Sequence, residues 1–206
     1  MQPHVPVNHG TAPRKFLRSL NGDGPFGFAL LLAIGLLLFP LLGGDRLRLA
    51  WRYQRDAIAD GEIWRTLTAH LVHLDAGHAV LNALGMVLLW GLFARTWNPR
   101  QWLFAIAMSL LAINLGFWFL SPQLQWYVGA SGVLHGVFAF GCIALLRERD
   151  WIGVVAIVIF MAKLAWEQWM GPLPFEQSGT VVTVAHLYGA LGGLAAGLLM
   201  TAILRR

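Results

Sequence analysis

The sequence predicts an all-α membrane protein, a bundle of six transmembrane helices, and three observations predict it. Charged residues fill only 12% of the 206 positions, about half the share of an ordinary soluble domain. Six long apolar stretches recur along the chain. Ten tryptophans accompany them, as expected where amphipathic rings collect at membrane–water interfaces. The formal charge of +5 would suit a nucleic-acid binder. The basic residues cluster at the ends of apolar stretches, however, so they are read as topology signals and no nucleic-acid partner is expected. The single cysteine, Cys142, excludes an intrachain disulfide.

Taken in order, the stretches run over residues 25–42, 77–94, 101–120, 131–146, 151–170 and 181–204. Most reach the roughly 17 to 25 residues needed to cross a hydrocarbon core. The fourth is the shortest, roughly 24 Å at 1.5 Å per residue, so its first residue is expected below the membrane surface. Arg14, Lys15 and Arg18 precede the first stretch, and Arg95 and Arg100 join the second to the third. Arg147 and Arg149 join the fourth to the fifth, and Arg205 and Arg206 close the chain. The 3–4 and 5–6 connections carry no Lys or Arg. Cytoplasmic loops carry the excess of basic residues, so both termini are expected inside. The exception is the outer loop at 43–76, with five arginines and five acids; Trp51, Tyr53 and Trp64 suggest that it lies on the membrane. The expected organisation is a cytoplasmic segment over 1–24, a six-helix domain over 25–204 and a cytoplasmic tail at 205–206.

Polar groups inside a bilayer are costly and usually face a bundle interior or a wet cavity. Here they are His78, Asn82, Asn114, Ser131, His135, Lys163, Glu167 and His186. With both termini inside, spans 2, 4 and 6 all run inward from the outer face. His78 and Asn82 then fall in the first turns of span 2, Ser131 opens span 4, and His186 lies roughly 7.5 Å into span 6. Four useful groups on three helices thus converge at one depth.

Ser131 becomes a nucleophile if His186 takes its proton. Gly132 and Gly136 on span 4, with Gly189, Gly193 and Gly197 on span 6, have the small-residue spacing that lets helices approach closely. The backbone N–H of Ser131 is unpaired at a helix start. His78 and Asn82, one turn apart on one face, complete a candidate oxyanion hole. No acid is placed to orient His186, so a Ser–His dyad and not a triad is expected. Bland alternatives stand beside each assignment. Ser131 would also serve as an N-cap, His186 as an interhelical hydrogen bonder, and Lys163 with Glu167 as a mutually neutralising i,i+4 pair, preferred to a substrate-binding role. His70, His73 and His78 lack the acidic or thiolate companions of a recognised metal site, so no metal and no cofactor is expected.

The segments WRTLTAHLVHLDAGHAVLN, GASGVLHG and AHLYGALGG, in that order, resemble the rhomboid intramembrane serine proteases over roughly residues 25–204. The resemblance implies Ser131 as nucleophile, His186 as general base, and His78, Asn82 and the Ser131 backbone as the oxyanion hole. Gly129, Gly132 and His135 would support the site, and Trp64 and Arg65 would match an outer-loop motif. Many rhomboids carry an aromatic at the position of His135. GASGVLHG, KLAWEQ and VVTVAHLYGALGG look instead like the rhombosortase branch. That likeness implies a bacterial inner-membrane enzyme with an outward-facing site. Its partners would be exported proteins held in the lipid bilayer by a Gly-rich C-terminal tail helix, entering between spans 2 and 5. The alternatives are a non-catalytic rhomboid-like binder of membrane helices and, further off, a small transporter. For the latter the sequence lacks an internal repeat or a pair of broken helices.

Overall fold

The computed structural model describes residues 20–149, 151–172 and 182–204. The topology signals Arg14, Lys15, Arg18, Arg205 and Arg206, and most of the 5–6 connection, lie outside the described residues. The described helices are α1 (Gly24–Leu38), α2 (Gly44–Trp51), α3 (Arg55–Ala59), α4 (Arg65–Thr68), α5 (Ala76–Phe93), α6 (Pro99–Leu115), α7 (Ser131–Arg147), α8 (Trp151–Met170) and α9 (Thr183–Leu204). Two short strands, β1 (Tyr53–Gln54) and β2 (Trp126–Tyr127), pair antiparallel with Tyr53 opposite Tyr127.

Five helical stretches among the described residues are long and apolar enough to cross a membrane: Gly24–Trp51, Ala76–Phe93, Pro99–Leu120, Gly153–Met170 and Thr183–Leu204. The fourth expected span, α7, has 17 residues and falls short of that length. Its burial explains how a short helix persists. Gly132, Gly136, Ala139, Phe140, Gly141 and Cys142 are all buried against neighbouring helices. The outer helices show the reverse pattern, with Leu84, Leu103, Val158 and Leu198 each more than half exposed. So much uncovered apolar surface suits lipid rather than water.

The first expected span, 25–42, falls inside the helical stretch Gly24–Trp51, and its helix type changes near the end. Pro40 lacks an N–H to continue the α-helical ladder, and a 3₁₀ turn at Phe39–Gly43 follows α1. Helix starts have local causes. Asp75 caps α5 by accepting from the His78 N–H at 2.8 Å, and Asn98 and Gln101 form a reciprocal capping box ahead of α6.

The 43–76 loop is built into the molecule through a strand pairing and through Arg55, and Arg65 ties it internally. The β1–β2 pairing ties it to the segment just before Ser131. Arg55 donates to the Phe117 and Trp118 carbonyls at 2.9 and 2.7 Å, which lie in the wide π-helical turn Gly116–Leu120. Arg65 pairs with Glu62 at 2.5 Å and donates to the Leu49 and Arg52 carbonyls. Trp64, beside it, is half exposed.

The tightest helix contact is between α7 and α9. A Cβ placed on Gly189 would overlap the Gly132 carbonyl, and one on Gly193 would overlap the Gly136 carbonyl. Only glycine allows backbones this close. The contact brings the start of α7 directly against the first turns of α9.

Candidate active site

The site forms where α5, α7 and α9 begin. Ser131 is the first residue of α7, so its backbone N–H has no intrahelical acceptor. Its Oγ lies 2.9 Å from Nε2 of His186, one turn into α9. The other ring nitrogen of His186, Nδ1, is 3.0 Å from both carboxylate oxygens of Glu167 on α8. An ionised carboxylate only accepts hydrogen bonds, so Nδ1 carries the proton and Nε2 is left to accept from the serine hydroxyl. His186 and Glu167 are each 1% exposed.

An acid was not expected behind the histidine, and Glu167 stands there. In the sequence Glu167 reads foremost as the i,i+4 partner of Lys163. That ion pair forms, but it does not close on itself. Lys163 Nζ also lies 2.9 Å from His135 Nε2, and His135 Nδ1 lies 2.7 Å from the Ser131 carbonyl oxygen. The His135 ring stacks on His186 with centroids 4.0 Å apart and planes 6° from parallel. His135 therefore does not face the serine hydroxyl; stacking and two hydrogen bonds account for its ring.

His78 and Asn82 line the same cavity as Ser131 and His186. The Leu74 N–H points at His78 Nδ1 at 3.4 Å. Asn82 Nδ2 gives one hydrogen to the His78 carbonyl at 2.9 Å, and its second N–H is directed elsewhere. Gly129 has φ of +124°, and a Cβ there would press on the His78 ring. Glycine serves at this position both for the left-handed backbone and for the close approach.

Tyr127 is a site residue that the sequence did not reveal. Its hydroxyl donates to the Gly129 carbonyl at 2.6 Å, and burial pushes its phenol up to about 12, against the opposing pull of Ser131 and Gly132 beside it. It stays protonated and braces the turn that presents Ser131. The only hint in the sequence was its place in WYVGASG. Burial also holds His70 and His73 down at about 4. The Gly129 backbone opposes this at His70, and at His73 the neighbouring His78 adds to it while Asp75 opposes.

Metal binding fits the arrangement poorly. His135, Glu167 and His186 present donor atoms within 4.8 Å of one another. Those atoms are already engaged by Ser131, Lys163 and each other, and the Lys163 ammonium opposes a second cation at the same place. His70 turns to Tyr127, while His73 meets His78 edge-on.

The cavity has a volume of about 280 Å³ and opens between α5 and α8. Leu81, Leu88 and Leu89 wall one side, Ile159 and Phe160 the other, and Ser131 with His186 stand at its polar end. Helices α5 and α8 hardly touch.

The rhomboid domain family matches residues 60–203, which contain all of these groups. A Bacillus subtilis protein named "Putative rhomboid protease YdcA" is 27% identical over 136 residues, covering 66% of each chain. The Mycobacterium tuberculosis protein Rv1337 is 26% identical over 211 residues, covering 98% of this chain and 83% of its own length. With most of its length matched by the domain, the chain belongs to the rhomboid family.

Proposed function

We propose that the protein is an intramembrane serine endopeptidase, with Ser131 as nucleophile and His186 as general base. The observation that carries this reading is the 2.9 Å contact from Ser131 Oγ to His186 Nε2 at the polar end of an apolar cavity. Membership of the rhomboid family supports a protease acting on membrane proteins.

In the proposed reaction a substrate carbonyl enters the cavity and Ser131 Oγ adds to its carbon, while the hydroxyl proton passes to His186 Nε2. The oxyanion is held by the Ser131 backbone N–H and the side chains of His78 and Asn82, donors already in place before the charge develops. Collapse breaks the C–N bond, and the leaving amine takes the proton from His186. A water molecule, deprotonated by the same nitrogen, then hydrolyses the acyl-enzyme and regenerates the serine.

The substrate we infer is an exported bacterial protein anchored by a Gly-rich C-terminal tail helix, as the rhombosortase likeness implies. The open side between α5 and α8 supports lateral entry from lipid, and glycine lowers the cost of unwinding a helix there by about 1 kcal/mol per residue relative to Ala. The protein would span the bacterial inner membrane six times, with α7 as the short fourth span, both termini inside and the site facing outward. Ser131→Ala and His186→Ala are each expected to lower cleavage of a Gly-Gly-tailed reporter by at least about 10⁴-fold while the protein still inserts. Persistent cleavage by purified Ser131→Ala would sink the reading. A fluorophosphonate is expected to label Ser131 in the unsubstituted protein and not in His186→Ala.

A further inference from the structure

We propose that Glu167, Lys163 and His135 form a positioning relay that returns to the nucleophile and holds His186 in its working tautomer. The inference rests on the serine-protease reading above and extends it to three residues outside the nucleophile, base and oxyanion hole.

The contacts close into a ring. The Ser131 hydroxyl donates to His186 Nε2, and His186 Nδ1–H donates to the Glu167 carboxylate. Lys163 donates to that carboxylate and to His135 Nε2. His135 Nδ1–H donates to the carbonyl of Ser131 itself. Each junction in the ring has one donor and one acceptor, so the ring leaves one consistent proton arrangement. Reversing the His186 tautomer would set Nδ1, without a proton, against an acceptor-only carboxylate. Reversing His135 would set a lone pair against the Ser131 carbonyl and an N–H against an ammonium.

The charges follow the same logic. An ionised carboxylate is expensive in an apolar interior unless paired, and the Lys163 ammonium pairs it. When His186 takes the serine proton, the new imidazolium finds an anion already at Nδ1. His135 adds mechanical support, since its ring lies parallel on His186 while its two nitrogens are anchored on α7 and α8. The relay thus joins the three helices that carry the serine, the base and the acid.

The groups facing His186 are Glu167 and Lys163 from α8, His135 and Ser131 from α7, and His78 from α5. Removing the anion or the cation of the ion pair should therefore move the pH dependence in opposite directions. The test measures the rate at which a fluorophosphonate labels Ser131 across pH, in the full-length protein in detergent. Glu167→Gln is expected to slow labelling by about 10²- to 10⁴-fold and to move the acid limb to lower pH, because protonation of His186 loses its neighbouring anion. Lys163→Met is expected to move that limb to higher pH, because the Glu167–His186 pair then holds its proton more tightly. Lys163→Arg should restore the limb towards its original position. His135→Phe keeps the stacking and loses both hydrogen bonds, with an expected loss of about three- to tenfold.

The relay is overturned if Glu167→Gln labels within threefold of the unsubstituted protein with an unmoved limb, or if both limbs move the same way. Should Glu167→Gln fail to insert, the Lys163→Met limb and its Arg rescue decide alone: a limb moved to higher pH and restored by Arg supports the relay, and an unmoved limb overturns it. Loss of labelling in Ser131→Ala with unchanged Glu167→Gln would discard the relay and keep the protease. Labelling that survives Ser131→Ala would remove the protease reading itself.

Discussion

Two helix contacts flank Ser131, and they are built in opposite ways. On one side α7 meets α9 through glycines whose missing side chains let carbonyls and Cα atoms nearly touch. On the other side α5 and α8 stand apart, and leucine, isoleucine and phenylalanine line the gap between them. The first contact sets the serine–histidine distance and tolerates no extra atoms. The second leaves room for another chain. One helix, α7, serves both, so Ser131 sits where a close-packed wall meets an opening. Close packing and access are thereby assigned to different helix pairs.

A side chain placed in the glycine contact should do the most damage. Gly189→Val must push α9 away from the Gly132 carbonyl. Fluorophosphonate labelling is expected to fall by about 100-fold or more, since a displacement of roughly 1 Å at a reacting centre has that effect. Thermal unfolding in detergent should show a loss of about 1–3 kcal/mol from overpacking. Normal labelling together with a normal melting temperature would show that the contact is softer than its geometry.

Filling the open side should act on the substrate and spare the catalytic groups. Leu88 lines the cavity from α5 and is more than half exposed. Leu88→Trp is expected to cut kcat/KM for a tail-helix reporter by about tenfold, the scale of one misfitted apolar contact. Labelling by a small fluorophosphonate should change less than twofold. Equal losses in both assays would place the obstruction at the serine instead of the entrance.

The smallest effect concerns the turn leading into α5. Burial holds His70 and His73 at about 4, below the usual value near 6.5. Both are neutral when folded, so below pH 6.5 the unfolded chain binds more protons and stability falls, down to about pH 4. Each histidine should remove about 1 kcal/mol by pH 5.5. His73→Leu should flatten the fall in melting temperature between pH 6.5 and 5; an unchanged slope would assign the pH dependence to other groups.

Much of this site was legible in one dimension because a bilayer makes polar residues conspicuous. His78, Asn82, Ser131 and His186 stood out as the few useful groups at one depth, and the four surround one cavity. Gly132 and Gly189 were legible from their spacing. Tyr127 was not, since a tyrosine before a helix start carries no distinctive pattern. Nor was the change from α-helix to a 3₁₀ turn at Phe39–Gly43, a local proline effect that averaging over a window conceals.

Glu167 illustrates the division between the two levels. Its i,i+4 spacing to Lys163 is a property of one helix, and the ion pair follows from that spacing alone. Its contact with His186 depends on how far α8 is rotated and where it crosses α9, and His135 reaches Lys163 for the same reason. Composition, hydropathy and residue spacing determine the membrane class and the inventory of polar groups within the apolar stretches, because these quantities accumulate along the chain. Which nitrogen faces which oxygen is decided only when helices pack, since a rotation of a fraction of a turn moves a side chain by several ångströms and hydrogen bonds tolerate only a few tenths.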